Sequence, residues 1–236
     1  SQFLQAAGKA LGVQRKGDKE VVYVSGGEGS TSQGDFHEAM NFSAIHKLPM
    51  IFMIQDNGWA ISVPIEQQTA GSSIVNVAKG YQGMDVHEVD GTNYLEIQEA
   101  MQQSANKARS QNGPSIIVAK LPRIGAHSNS DDPKKYREPH CIEEALKNDP
   151  IRIFEKFLLE QEWATQEELE AMQARVQAEV EKQSEAAESL PFPSAASVHD
   201  HVFKDFEIEE TPLNSSDQEV VMMDAINHAL QEELTR

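Results

Sequence analysis

Residues 21–34 read VVYVSGGEGSTSQG and residues 50–59 read MIFMIQDNGW. Each stretch opens with a short apolar run and closes in a polar, glycine-containing turn. Val21-Val22-Tyr23-Val24 is β-branched and aromatic, as a buried strand requires, and Met50 to Ile54 is apolar at every position. Between them Phe36, Ala39, Met40, Ser43 and Ala44 fall at helical spacing over about 34–46, and Pro49 breaks the run. Strand, helix and strand in succession, with strands apolar throughout, predict a parallel sheet.

The same alternation continues on both sides. Phe3, Leu4, Ala7, Ala10 and Leu11 predict a helix over 2–16, turned by Gly17-Asp18. Residues 84–89 read as a strand, Asn93 as the cap of a helix over about 94–110, and Gly113-Pro114 as its end. Residues 115–121 form another apolar strand. The expected fold over residues 1–150 is therefore α/β, a doubly wound parallel sheet with helices on both faces. A helical C-terminal extension follows over 151–190, as two helices of about 151–160 and 165–188 joined near Trp163. Residues 191–215, rich in Ser and Pro, read as a linker. Ser216-Asp217-Gln218-Glu219 is a capping box that opens a helix with Val220, Met223, Ile226 and Leu230 on one face. That helix is expected to begin another domain, residues 216–236.

The net charge of -18 over 236 residues excludes partners that are themselves polyanions, so neither nucleic acid nor an anionic membrane surface is expected. No apolar run of about 18 residues occurs, and no membrane span is predicted. The acidic excess over 160–188 reads as a solvated helix face. Cys141 is the only cysteine, which rules out a disulfide framework and fits a reducing, cytoplasmic setting. The chain opens at Ser1 with no signal-peptide layout and reads as cut from a longer one.

The chemistry is expected at the strand ends. In a parallel α/β sheet, ligands bind outside the carboxyl ends of the strands. Here those ends carry Gly27-Glu28-Gly29, Asp56-Asn57, Asp90-Gly91 and the polar loop Arg123 to Asp132. A parallel crossover brings the first two clusters to one edge, where Glu28 and Asn57 can offer oxygens to a single Mg²⁺. The helix starting near Gly34 adds free N–H groups for phosphates. Alone, either cluster reads as a turn. Their combination is far more specific: a glycine–acid–glycine followed, after 27 intervening residues, by an Asn at the next strand end.

This pairing resembles the thiamine diphosphate and Mg²⁺ signature, with Glu28 where Asp is usual and Asp56-Asn57 where Asn-Asn is usual. The stretches Gly27 to Phe42 and Gln55 to Ser62 resemble the α subunit of 2-oxo acid dehydrogenase decarboxylating components, and the likeness covers about residues 1–205. The resemblance implies Glu28, Asn57 and the Trp59 carbonyl as Mg²⁺ ligands, with the backbone of Gly29 and Ser30 on the diphosphate. The loop Arg123-Ile124-Gly125-Ala126-His127-Ser128, with Asp131-Asp132, resembles the branched-chain members. It implies Arg123 on the diphosphate and His127 beside the thiazolium as the proton-transferring catalytic residue. Ser128 matches a phosphorylation site of animal relatives. Trp59 replaces the usual Tyr, and Gln55 stands where branched-chain members often have Arg.

The implied activity is oxidative decarboxylation of a branched-chain 2-oxo acid, with reductive acylation of the lipoyl group of a partner acyltransferase. Residues 220–234 resemble the opening of the β subunit, which implies α and β parts fused in one parent chain, and a homo-oligomer of that parent. A pyruvate or acetoin dehydrogenase α subunit is the neighbouring reading. A non-catalytic interaction module of the same fold is the reading from another class. His37, His46, His87, His140, His199, His201 and His228 read as solvated or structural.

Overall fold

A computed structural model describes residues 2–202 and 220–235. Its contacts divide the chain into two compact units, Ser1–Glu179 and Val180–Arg236.

The first unit is built on a parallel sheet. Its strands are β1 (Val22–Gly27), β2 (Met50–Asp56), β5 (Asp85–Asp90) and β6 (Ser115–Lys120), in the order β1-β2-β6-β5. A two-stranded antiparallel ribbon, β3 (Trp59–Ala60) and β4 (Val63–Pro64), lies between β2 and β5 in the chain. Side chains of a strand alternate faces, and the two cores follow that alternation. Met50, Phe52, Ile54, Ile116 and Val118 join α1 (Phe3–Lys16), α2 (Gly34–Ile45) and α4 (Ile74–Ala78) in one core. Ile51, Met53, Ile117 and Ala119 face α5 (Tyr94–Arg109) through Ala100 and Met101 in the other. Helices thus cover both faces, as the apolar runs predict.

The helix ends are set by the expected devices. Gly17 closes α1 with φ of 74°, a left-handed conformation natural to glycine. Asn93 Oδ1 accepts from the N–H groups of Leu95 and Glu96 and so caps α5. Two local expectations change. β1 is an edge strand: Val22 and Val24 are buried, but Tyr23 is 50% exposed, so this strand is covered on one face only. The phase of α1 also turns slightly, because Val13 is buried while Leu4 lies open.

Beyond the sheet, α6 (Pro139–Lys147) is a helix that periodicity did not reveal. α7 (Pro150–Glu160) and α8 (Gln166–Glu188) match the predicted pair, and α8 has no buried residue. Thr165 and Glu168 cap α8 reciprocally: the Thr165 N–H donates to Glu168 Oε2 at 2.8 Å and the Glu168 N–H to Thr165 Oγ1 at 3.2 Å. The second unit carries helix α9 (Met222–Thr235), and the first also holds the short helix α3 (Ile65–Gln68). Val220, Met223, Ile226 and Leu230 are all exposed there. The capping box at 216–219 and most of the linker lie outside the described residues. Among the described residues no helix is long and apolar enough to cross a membrane.

Candidate functional site

The register of the sheet places the polar strand ends on one edge. Gly27 lies opposite Gln55, and Asp56 and Asp90 both lie opposite Lys120. A cleft of about 540 Å³ runs along this edge and is lined by Asp56, Gly58, Asp90 and Lys120 among others. A roomier apolar cleft of about 770 Å³ lies among α5, α7 and the start of α8, and shares Thr92 with the first.

Glu28 opens a 3₁₀ turn, Glu28–Ser32, immediately after β1, and its side chain is wholly buried. Its Oε2 accepts the Asn57 N–H at 3.2 Å, while its Oε1 is buried without a partner. Burial pushes the Glu28 carboxyl above the ordinary carboxylate range, the neighbouring Asp56 charge adds to the rise, and N–H groups oppose it. Asp56 is displaced in the same direction, again first by burial. Two buried acids side by side, one with a vacant oxygen, make an environment that a cation would relieve. Among the described residues no group of three or more His, Cys, Asp or Glu converges as a metal site. The donor set available here is instead one carboxylate, one amide and backbone carbonyls, a set of hard oxygens suited to Mg²⁺.

The surrounding turn is tightly built. Asp56 Oδ1 accepts from Gly58 N–H and Asn57 Oδ1 from Trp59 N–H, both at 3.2 Å, which winds the chain after β2 into a compact loop. Ser30 Oγ donates to the Gly27 carbonyl at 2.6 Å, and Thr31 Oγ1 to the Glu28 carbonyl at 2.7 Å. Gly29 meets β3 so closely that a Cβ there would stand 2.8 Å from the Ala60 Cβ. Glycine at 29 is thus required by the ribbon pressed against it. Gln68 Nε2 also donates to the Glu28 carbonyl at 2.8 Å, from the short helix α3. No sequence pattern signals Gln68, because its partner is 40 residues away.

The loop after β6 returns over this turn. The Arg123 guanidinium lies 5.9 Å from the Trp59 ring and 5.5 Å from the Tyr136 ring, and donates to the Ile61 carbonyl at 2.6 Å and to the Tyr136 hydroxyl. Arg137 is buried, packs against Trp59, and donates to the Arg123 carbonyl at 2.8 Å. His127 and Ser128 are exposed on the loop, where the His127 N–H donates to Asp131 Oδ2 at 2.8 Å. Glu28 with Asn57, and Trp59 with Arg123, are therefore brought together, while His127 is held through its backbone. No motif in the sequence singles out Tyr136 or Arg137.

A family model described as dehydrogenase E1 component matches residues 1–196, and the chain belongs to that family. It is 37% identical over 203 residues to a 2-oxoisovalerate dehydrogenase subunit alpha of Bacillus subtilis, covering 86% of this chain and 61% of that one. It is 40% identical over 161 residues to a 3-methyl-2-oxobutanoate dehydrogenase subunit alpha of Mycobacterium tuberculosis, covering 68% and 44%. A pyruvate dehydrogenase E1 component subunit alpha of Bacillus subtilis is 37% identical over 177 residues, covering 73% and 47%. The chain thus spans about half to three fifths of the length of these relatives.

Proposed function

We propose that this chain supplies the diphosphate- and Mg²⁺-binding part of a thiamine-diphosphate-dependent dehydrogenase that oxidatively decarboxylates branched-chain 2-oxo acids. The observation that carries the reading is the Glu28 carboxylate, wholly buried at a strand end with one oxygen lacking any partner. Burying such a charge is costly unless a cation joins it. Glu28, the side-chain oxygen of Asn57 and the Trp59 carbonyl would hold Mg²⁺. The backbone of Gly29 and Ser30 and the Arg123 guanidinium would hold the diphosphate. Thiamine diphosphate, when bound, supplies the electron sink for loss of carbon dioxide.

The chain's own residues account for the rest. Arg123 would offset the negative charge of the cofactor's diphosphate, and Glu28 would orient that end through the cation it holds. The close Gly29–Ala60 approach seats the turn against the ribbon. His127, on a loop open to solvent, moves a proton to or from the reacting carbon's substituents. The branched-chain assignment rests on the names of the first two relatives, and the pyruvate relative makes pyruvate the natural comparison substrate.

The remaining parts follow from the same reading. Residues 1–150 form the cofactor-binding domain, 151–190 its helical extension, 191–215 a linker and 216–236 the start of a β-subunit-like domain of the same parent chain. The parent is a homo-oligomer that delivers its acyl group to a lipoyl-bearing acyltransferase, in a reducing, cytoplasmic setting.

The test uses the parent enzyme. Reduction of an artificial acceptor is followed with 3-methyl-2-oxobutanoate and with pyruvate, each with and without thiamine diphosphate and Mg²⁺. Cofactor-dependent turnover favouring the branched substrate is expected. Preference for pyruvate would overturn the substrate class, and turnover indifferent to both cofactors would overturn the reading.

A further inference from the structure

The apolar cleft of about 770 Å³ among α5, α7 and α8 is a trough with two open walls. Leu169, Met172 and Val176 recur at helical spacing along α8, and Ile151 and Phe154 stand a turn apart on α7. Tyr94 and Ile97 of α5 close the trough. Ile151 is 69% exposed, and Met172 and Val176 are 53% exposed each, so both stripes stand open to solvent. An apolar stripe on a helix ordinarily faces a core, and an apolar patch left open marks a site of association. We propose that this trough docks an amphipathic helix of another protein, with its apolar face between α7 and α8 and Lys and Arg on its flanks. The proposal is independent of the cofactor chemistry argued above, although Thr92 lines both clefts.

Shape and charge together select the occupant. Two parallel apolar stripes with a furrow between them receive a helix through anchors at i, i+3 or i+4, and i+7. One wall is stiffened by contacting rings: Tyr94 and Phe154 lie 4.9 Å apart, Phe154 and Phe157 6.1 Å, and Phe157 and Trp163 5.4 Å. Aromatic walls of this kind are common at the centres of protein interfaces. Glu155 is the only charged side chain lining the trough, and Glu170 joins it in the adjoining cleft. Over residues 150–179 acids outnumber bases more than two to one, and one of those bases, Lys156, already pairs with Glu160 at 3.6 Å. A partner with basic flanks is therefore complementary to this surface. The same charge opposes the other occupants. A second copy would bring the same acidic face against this one, and an anionic membrane would be repelled by a chain of net charge -18.

The test pans the full chain with two displayed pools of amphipathic helical peptides, each peptide about 20 residues long so that a helix can form. Both pools carry Leu, Ile, Met or Phe at the anchor positions; one has Lys and Arg on its flanks and the other Asp and Glu. The enriched peptides are then measured by fluorescence anisotropy. Binders are expected from the basic pool, with Kd on the order of micromolar, weakening as salt is raised. Ile151→Asp and Val176→Glu should each weaken them about tenfold or more. Both positions are exposed, so the melting temperature should stay unchanged. The double change Glu155→Lys with Glu170→Lys should shift the preference towards the acidic pool, a readout that loss of folding cannot imitate. Equal enrichment of both pools, no binder from either, or binding indifferent to Ile151→Asp and Val176→Glu would overturn the proposal. Self-association of the chain in sedimentation velocity that is lost in Val176→Glu would give the trough to a second copy and overturn it as well.

Discussion

Replacing Glu28 with Gln should raise the stability of the metal-free protein and abolish its stabilisation by cofactor. Glu28 is wholly buried, with one oxygen on the Asn57 N–H and the other without a partner. A buried unsatisfied acceptor costs about 1–3 kcal/mol, and more when charged. The amide keeps the acceptor for Asn57 and removes the charge and its repulsion with Asp56, but leaves its own N–H groups unpaired. The net gain is therefore about 1 kcal/mol, or about 2–4 °C in melting temperature for a chain of this length.

The pH dependence follows from the direction of the shift. The folded pKa of Glu28 is raised above its ordinary 4.5, so its neutral form contributes stability that is complete below 4.5 and is lost as pH rises through the folded value. The gain in Glu28→Gln should thus be present at pH 8 and vanish near pH 4. With thiamine diphosphate and Mg²⁺ at about a hundred times Kd the parent gains about 2.7 kcal/mol and the variant nothing, so the order of melting temperatures inverts. Scanning calorimetry at both pH values, with and without the two ligands, measures all four corners. A Glu28→Gln variant less stable than the parent at pH 8 without ligand would refute the picture of an uncompensated buried carboxylate.

Three further changes probe the frame around that charge. Gly29→Ala puts a methyl 2.8 Å from the Ala60 Cβ; forcing the ribbon aside should cost about 1–3 kcal/mol, and cofactor affinity should fall with it in a calorimetric titration. Phe36→Ala empties a fully buried position between Phe3 and Phe52, with ring centroids at 5.2 and 6.5 Å; a loss of about 3–5 kcal/mol is expected in urea unfolding. Asn93→Ala removes the cap of α5 and should cost about 1 kcal/mol by the same assay, without altering cofactor binding.

Part of this site is legible in the sequence. Glu28 and Asn57 stand out because a glycine-flanked acid and an Asn turn each follow an apolar run, and parallel strands must end on the same edge. The interior strands were equally plain: β2 and β6 lie between neighbours and under helices on both faces, so nearly every position must be apolar. Tyr23 shows the limit of that logic. A β-branched and aromatic run reads alike whether a strand is central or at an edge, and only the strand order reveals that β1 has one open face. Helix α6 escaped for a related reason, since only Ala145 is buried and no long apolar period marks it.

What the sequence determined by itself was local and periodic: which runs become strands, where Gly17 and Asn93 stop and start helices, and which polar clusters sit at strand ends. Those properties depend on neighbours within a few residues, where steric and hydrogen-bonding rules act directly. Only the tertiary structure decided that Glu28 loses all its solvent while keeping one oxygen unpaired, that Gln68 reaches back to its carbonyl, and that Tyr136 joins Arg123 to Asp131. Each of these joins segments that meet only after the chain has closed its loops, and the resulting desolvation belongs to the packed whole rather than to any stretch of it.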